Sequence, residues 1–339
     1  MKDVNILSIE TSCDETSIAI VEDGRKILSN VISSQIEIHT RFGGVVPEVA
    51  SRNHICAINN VLTEALEKAN LTLDDIDAIA VTYGAGLIGA LLVRVNFAKA
   101  LAYSLNIPLL AVNHIKGHLA ANYISYPTLE PPFICLIVSG GHTSLFEIKD
   151  YINQNLIGQT LDDAVGEAFD KVARVVGLGY PGGPKVEKKA KEATSTVTLV
   201  KQNATKGTFN FSFSGIKTAV INYAHKVEQK GEKLDDAIVC ASFQKFVIEE
   251  LTEKSLSAAK KYGYNKLVLA GGVSANQTLK NHMIEEGKKV GIEVFAPPPV
   301  LCTDNAAMIA SAAYYNMINN VGISDVDLSA KASISYLNN

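Results

Sequence analysis

The feature that most constrains the fold is a pattern that occurs twice. Each copy has an apolar strand, a short polar loop, a second strand and a charged turn. The first copy runs from Val4 to Gly24 through the loop ETSCDET, and the second runs from Phe133 to Asp150 through the loop SGGHT. The copies match in pattern more than in residue identity, and each is followed by alternating helix and strand patterns. The sequence therefore predicts a duplicated α/β fold whose two lobes place their polar loops across a central cleft.

Actin, the sugar kinases and the 70-kDa chaperones have this RNase H-like architecture and bind a nucleotide between the loops. By that analogy we predict an actin-like two-lobed fold, which by itself says nothing about the reaction. Residues 1–130 are expected to form the first lobe, including the helix with two histidines, and residues 131–303 the second lobe with the nucleotide and substrate loops. Residues 304–339 are expected to form a helix and tail that return to the first lobe.

Composition limits the class of protein. Of the 339 residues, 47% are hydrophobic and 19% are charged, which is typical of a globular protein with little disorder. No uninterrupted apolar run reaches the roughly 18 residues that span a bilayer, and the start resembles a strand rather than a signal peptide, so we expect no membrane association.

The five cysteines are scattered, which favours the buried thiols of a cytoplasmic protein. The formal charge of −4 argues mildly against a surface that binds nucleic acid throughout, and the lysine-rich stretch 185–191 is either a local basic patch or a solvated helix face.

Two histidines four positions apart form the first candidate site. His114 and His118, in NHIKGHLAA, fall in the first turns of a predicted helix, where residues at this spacing share a face. The spacing suits a pair of metal ligands, and it also suits two hydrogen-bonded histidines at a lobe interface. Asp304, in CTDNAAM, is a candidate third ligand at the predicted cap of the last helix. Two imidazoles and one carboxylate leave coordination positions open, as a catalytic or substrate-binding metal requires.

Two small-residue loops follow buried strands and are candidates for binding a phosphate or nucleoside. VSGGHT (Val138–Thr143) and GGVSAN (Gly271–Asn276) have glycines that allow close approach of backbone N–H groups to an anion. GGVSAN also opens a helix, whose N-terminus favours a phosphate or the edge of an adenosine. Each loop on its own is equally compatible with an ordinary turn.

Ten motifs then follow one another in the order of a single family. They are IETSCDETS, FGGVVPEVASRNH, NHIKGHLAA, LIVSGGHT, GEAFDK, GYPGGP, FSFSGIKTA, ASFQ, GGVSAN and LCTDNAAMIA. On these motifs, nearly the whole chain resembles the tRNA N6-adenosine threonylcarbamoyltransferases of the bacterial TsaD type, formerly described as O-sialoglycoprotein endopeptidases.

The resemblance implies an acyltransferase. It would transfer the threonylcarbamoyl group from threonylcarbamoyl-AMP to N6 of adenosine 37 in tRNAs that read codons beginning with A, releasing AMP. It further implies one Fe²⁺ per chain, with Zn²⁺ possible. The implied partners are tRNA, a TsaB-type inactive paralogue that forms a heterodimer, and a TsaE-type P-loop ATPase.

Site residues carried over from the family fall on the quoted motifs. The implied metal ligands are His114, His118 and Asp304. The implied substrate contacts are Ile137, Val138, Ser139, Gly140, Gly141, Asp170, Gly183, Glu187 and Asn276. No general base follows from the motifs, although Asp14 and Glu15 in the first polar loop are candidates.

Three positions depart from the usual family pattern. Ala85 stands where proline is usual, Arg94 replaces a usual glycine, and Glu187 replaces an aspartate expected to face the ribose of the donor. Glu187 is expected either to keep the ribose contact or to turn outward to Lys188 or Lys191.

Three other functions are open to a chain with these patterns. A metalloprotease of the HExxH type needs a glutamate beside the first histidine, and Ile115 occupies that place. An ATP hydrolase of the same fold needs a catalytic aspartate at the phosphate loop, and SGGHT has no acidic residue. A non-catalytic scaffold paralogue would be expected to lack the histidine pair.

Overall fold

The computed structural model describes residues 3–11, 13–200 and 205–334. Its strands are β1 (Asn5–Glu10), β2 (Glu15–Glu22), β3 (Lys26–Ser34), β4 (Ala78–Gly84), β5 (Leu109–Asn113), β6 (Phe133–Val138), β7 (Thr143–Ile148), β8 (Gln154–Gln159), β9 (Lys266–Ala270), β10 (Glu293–Phe295) and β11 (Ile323–Ser324). Its α-helices are α1 (Ile36–Thr40), α2 (Pro47–Ala69), α3 (Ile88–Leu105), α4 (His114–Ser125), α5 (Val165–Val175), α6 (Gly182–Ala190), α7 (Ser214–Gln229), α8 (Asp236–Tyr262), α9 (Gln277–Lys289), α10 (Pro299–Cys302) and α11 (Ala306–Ile318). Short 3₁₀ turns lie at Leu73–Asp75 and Gly272–Ala275.

The chain folds into two compact units. The first comprises residues 1–131, 149–154 and 297–339, and the second comprises residues 132–148 and 155–296. The chain re-enters the first unit at Pro297, ahead of the predicted boundary at residue 304, because α10 packs against α4. Residues 149–154 also belong to the first unit, where the ring of Tyr151 stacks on that of Tyr315 with centroids 4.1 Å apart.

The two units contain the same arrangement of strands. Among the described residues, the sheet of the first unit has the order β11-β5-β4-β1-β2-β3, and that of the second has the order β10-β9-β6-β7-β8. In each, an antiparallel hairpin (β1-β2 or β6-β7) pairs through its first strand with a parallel strand (β4 or β9) that follows later in the chain. The duplication predicted from the two hairpin patterns is therefore present in the strand order.

The hairpin strands are buried over nearly their whole length, and β6 (FICLIV) is apolar throughout. The third strand of each sheet, β3 and β8, is missing from the sequence prediction, which ended both hairpins at their charged turns. Both strands lie at the edge of a sheet and are largely half-exposed, so their sequences KILSNVISS and QNLIGQ lack a strong apolar signal. Edge position explains why the pattern did not reveal them.

Helix α3 is long and apolar enough to cross a membrane by length and composition alone, with a mean hydropathy of 1.3 over 18 residues. Helices in protein cores also pass this test. Here α3 packs on β4 and α2, and its Arg94 side chain is completely buried. Packing against the sheet accounts for part of this hydropathy, since 33% of the helix is buried.

Candidate functional site

Both histidines project from the start of α4. The Asn113 side chain caps the helix by accepting a hydrogen bond from the Ile115 backbone N–H at 2.9 Å. His114 is the first residue of the helix and His118 lies one turn later, so their rings share a face, with centroids 4.6 Å apart. This confirms the predicted helix start and the shared face of the two rings.

Asp304 lies between α10 and α11 and brings a carboxylate to the two rings. Its Oδ1 is 3.4 Å from His114 Nε2 and 3.3 Å from His118 Nε2. The prediction that Asp304 caps the last helix is wrong, because Asn305 is the N-cap and accepts a hydrogen bond from the Met308 N–H at 3.0 Å. Since Asn305 satisfies the helix end, the Asp304 carboxylate remains directed at the histidines.

The donor set fits a metal ion. One ligand atom each from His114, His118 and Asp304 lies within 4.8 Å of the others. Both ring nitrogens of His118 are buried, and neither makes a hydrogen bond of good geometry to any residue that the structure describes. A buried imidazole without such a partner is costly, and coordination would satisfy its Nε2. Two imidazoles and a carboxylate suit Fe²⁺ or Zn²⁺.

The side chains of this cluster shift one another's pKa values. Burial disfavours the charged form of Asp304, but the two histidines outweigh it and hold its pKa well below the usual range. Burial also disfavours the His114 imidazolium, yet the carboxylates of Asp304 and Glu10 raise the pKa of His114 to about 10. For His118, burial prevails and its pKa is lowered. The carboxylates thus favour a positive charge beside the two imidazoles, as the binding of a cation would require.

The first polar loop is held beside this cluster by a second set of contacts. His54, in α2, lies with Nε2 3.2 Å from the Cys13 carbonyl and Nδ1 2.8 Å from Thr16 Oγ1. One carboxylate oxygen of Asp14, Oδ2, is buried without a hydrogen bond among the described residues. Burial and the neighbouring carboxylates of Asp304 and Asp14 raise the pKa of Glu15 to about 9, so Glu15 is protonated at neutral pH unless a cation offsets these charges. Glu15, one of the two candidate bases, therefore lies in the electrostatic field of the Asp304 carboxylate.

The second unit has a pocket of about 290 Å³, near the lower end of the range for small-molecule sites. It lies among β6, α5, α6 and the loop before α9. Its lining combines two carboxylates with small, apolar and backbone surfaces. The lining residues are Gly140, Gly166, Phe169, Asp170, Gly183, Pro184, Glu187, Gly272, Val273, Ala275 and Asn276.

The pocket gathers five of the nine predicted substrate contacts, namely Gly140, Asp170, Gly183, Glu187 and Asn276. The other four do not line it. Ile137 and Val138 are buried strand residues of β6, while Ser139 and Gly141 belong to the turn that follows. The remaining lining residues were missed, although Gly166 and Phe169 lie in GEAFDK and Gly272, Val273 and Ala275 lie in GGVSAN. Both motifs are recognisable in the sequence, but only one residue of each is among the predicted substrate contacts.

The family model of tRNA N6-adenosine threonylcarbamoyltransferase (TsaD) matches residues 26–311. The chain belongs to this family. A relative from Clostridium perfringens that bears the same name is 57% identical over 330 residues, covering 97% of each chain. Relatives of that name from Clostridium novyi and Clostridium botulinum are 57% and 56% identical, over 94% and 93% of each chain.

Solved structures show the fold class. The chain is similar to full-length HypF in a phosphate- and nucleotide-bound form, with a TM-score of 0.64 and 15% identity, covering 93% of this chain and 46% of HypF. It is also similar to component A of (R)-2-hydroxyglutaryl-CoA dehydratase from Acidaminococcus fermentans, with a TM-score of 0.55 and 14% identity, covering 93% and 99% of the two chains. At such identities the similarity concerns the fold alone, and it confirms the predicted duplicated actin-like α/β class.

Glu187, in α6, is one of the three positions that depart from the family pattern. It makes a contact that the sequence did not predict. Its Oε1 accepts hydrogen bonds from the backbone N–H groups of Gln277 at 3.0 Å and Thr278 at 3.3 Å, at the N-terminus of α9. Lys191 Nζ lies 3.6 Å from the same oxygen. Glu187 thus supports the N-terminal end of α9 and lies near Lys191 while it also lines the pocket, and the expected contact with a ribose stays a prediction.

The side chain of Asn276 likewise makes hydrogen bonds within the protein. Its Oδ1 accepts from the Leu279 N–H at 2.9 Å and caps α9, and its Nδ2 donates to Gln244 Oε1 at 3.1 Å. Its contribution to the pocket is therefore to hold the loop and the helix end, with its side-chain amide already hydrogen-bonded at both ends.

We expect Asn276→Ala to lower the free energy of unfolding by about 1 kcal/mol, because an N-cap is lost, and to weaken ligand binding in the pocket through the loosened helix end. Urea unfolding measures the first effect and calorimetric titration the second. Asn276→Ser restores a capping hydroxyl and should recover most of the stability. Equal stability of the alanine variant and the wild type would contradict the capping role.

Proposed function

We propose that this chain transfers the threonylcarbamoyl group from threonylcarbamoyl-AMP to N6 of adenosine 37 in tRNAs that read codons beginning with A, and releases AMP. The chain is an acyltransferase of the family to which it belongs. The observation that carries the proposal is the cluster of His114, His118 and Asp304, with a geometry and charge suited to an open metal site.

The pocket of the second unit suits the nucleoside of the donor. Phe169, Pro184 and Val273 offer apolar surface to a base, and the carboxylates of Asp170 and Glu187 can accept hydrogen bonds from ribose hydroxyls. Asp170 Oδ1 already accepts from the Gly182 N–H at 2.6 Å, which fixes its orientation at the start of α6. Binding energy from this remote part of the donor can be used to orient its reacting carbonyl.

In the reaction, the N6 amine of adenosine attacks the carbonyl carbon of the threonylcarbamoyl group. A C–N bond forms, the bond between that carbon and the phosphate oxygen breaks, AMP leaves, and N6 loses a proton. The amine is a weak nucleophile because its lone pair is delocalised into the ring, so the carbonyl must be polarised and held in place. A Fe²⁺ or Zn²⁺ ion held by His114, His118 and Asp304 would supply Lewis acidity to the oxygens of the threonylcarbamoyl group.

The residues of this chain have separate roles in that step. His114, His118 and Asp304 are proposed to hold the metal. Asp14 and Glu15 remain the candidates to receive the N6 proton. Asp14 Oδ2 is buried without a hydrogen bond among the described residues, and Glu15 could accept a proton only where a bound cation keeps it ionised. No side-chain nucleophile is needed, because the donor already has AMP as a leaving group.

The metal, the partners and the location are further parts of the proposal. We expect Fe²⁺, with Zn²⁺ as the alternative, and a cytoplasmic enzyme that works with a TsaB-type paralogue, a TsaE-type ATPase and tRNA, apart from any membrane. Support for a protein partner comes from Ile55, Ile88 and Leu92, whose apolar side chains remain 47–62% exposed on neighbouring helices α2 and α3. Exposed apolar patches of this kind commonly mark protein contacts.

The test is to supply threonylcarbamoyl-AMP and tRNA to the purified chain, with and without the two partner proteins, and to analyse the digested tRNA by mass spectrometry. We expect threonylcarbamoylated adenosine in tRNA that has adenosine at position 37 and none when guanosine replaces it. Hydrolysis of ATP without modified tRNA would favour an ATP hydrolase of the same fold. No product under any of these conditions would contradict the proposal.

A further inference from the structure

A buried ion pair lies directly behind the candidate metal centre. Arg94 in α3 and Glu10 in β1 have completely buried side chains, and Arg94 Nη1 lies 2.8 Å from Glu10 Oε1. Arg94 Nε donates to the Thr82 carbonyl, and Thr82 Oγ1 donates to Glu10 Oε2. Burying two charges is expensive and is weak evidence of added stability, so the placement of the pair calls for another explanation.

The second oxygen of Glu10 faces a proposed metal ligand. Glu10 Oε2 lies 3.7 Å from His114 Nδ1, while Nε2 on the other side of the same ring lies 3.4 Å from Asp304 Oδ1. The order is therefore Arg94, Glu10, His114 and then the metal position. Histidine ligands of metals commonly donate their other ring N–H to a carboxylate, which fixes the tautomer and the ring orientation.

We propose that Arg94 and Glu10 are positioning residues that hold His114 with Nδ1–H toward Glu10 and with Nε2 toward Asp304 and the proposed metal position. This inference rests on the proposed metal centre. Arg94 and Thr82 fix the Glu10 carboxylate from behind, so that Oε2 has one direction available. Arg94 also neutralises Glu10, which therefore orients His114 without adding net negative charge to the cluster.

The experiment must separate positioning from stability, because a single substitution leaves one buried charge without its partner. The test variant is the double substitution Glu10→Gln and Arg94→Met, which removes both charges together. The matched control is Glu250→Gln with Lys254→Met, which removes a buried ion pair of 2.7 Å within helix α8 of the second unit. The probe is Co²⁺ alone, and chelator competition gives its dissociation constant while visible absorption reports its coordination.

We expect the test variant to bind Co²⁺ about 10- to 100-fold more weakly than the wild type, with a changed absorption spectrum, and the control to keep the wild-type constant and spectrum. Wild-type affinity and spectrum in a folded test variant would show that the pair is only structural. Absence of Co²⁺ binding to the wild type, with metal analysis also negative for Fe²⁺ and Zn²⁺, would instead overturn the proposed metal centre.

A second measurement needs no substitution and covers the case in which the test variant does not fold. In the Zn²⁺-loaded wild type, ¹⁵N NMR of the His114 ring is expected to show a protonated, slowly exchanging Nδ1 and a metal-bound Nε2. Metal on Nδ1, or rapid exchange of the Nδ1 proton, would contradict the positioning role.

Discussion

Replacing His118 or Asp304 by alanine is expected to abolish binding of the proposed metal and to lower transfer by about a thousandfold or more, because the loss of Lewis acidity is worth several kcal/mol in such reactions. The fold is expected to survive. The ligands come from the start of α4 and from the loop before α11, and the caps of these helices, Asn113 and Asn305, stay in place.

Elemental analysis and circular dichroism of the same preparations measure the two parts of this prediction. His225→Ala is the control, since its exposed ring in α7 should leave metal content and activity unchanged. Full metal occupancy in a folded His118 or Asp304 variant would show that the cluster is not the metal site.

Introducing leucine at Gly183 is expected to abolish most donor binding and to leave binding of the proposed metal unchanged. Gly183 lines the pocket of the second unit, and a Cβ built there meets nothing within 4 Å, so the new side chain extends into open space without a backbone clash. We expect the affinity for a non-reactive analogue of threonylcarbamoyl-AMP to fall at least about tenfold, because the ligand must compete with a bulky group. Stability should not fall, since leucine is a better helix former than glycine.

Two neighbouring substitutions serve as comparisons for Gly183→Leu. Lys188→Leu adds similar apolar bulk to an exposed position of α6 outside the pocket and should leave binding unchanged. Gly182→Ala should destabilise the second unit, because its Cβ would lie 2.6 Å from the Asp170 Cα. Wild-type affinity in Gly183→Leu would mean that the pocket does not hold the donor.

The fold was predictable where the sequence repeats a strong pattern. The hairpins β1-β2 and β6-β7 have long apolar runs around short polar loops, and these specified both copies of the fold. The edge strands β3 and β8 were not predictable in this way, because half-exposed strands mix polar and apolar residues.

The three residues of the candidate metal centre could be picked out from the sequence, whereas the contacts that support them could not. The pair His114 and His118 is visible as a local spacing, whereas the contact of Glu10 with Arg94 joins residues 84 positions apart. Likewise, the contact of Glu187 with Gln277 spans 90 positions. Such pairings depend on tertiary packing, which leaves no periodic signal in a single sequence. The cap of α11 was misassigned for a simpler reason, since Asp304 and Asn305 are both good capping residues and adjacent.

The most direct test of the account is a single-turnover reaction with threonylcarbamoyl-AMP labelled with ¹³C at the carbamoyl carbon, together with tRNA and the partner proteins. ATP would be bound to the ATPase partner beforehand and the excess removed. We predict that each labelled carbon gained by adenosine 37 is matched by one released AMP, and that Asp304→Ala forms almost no labelled nucleoside. Release of AMP without label in the tRNA, or equal labelling by the Asp304 variant, would contradict it.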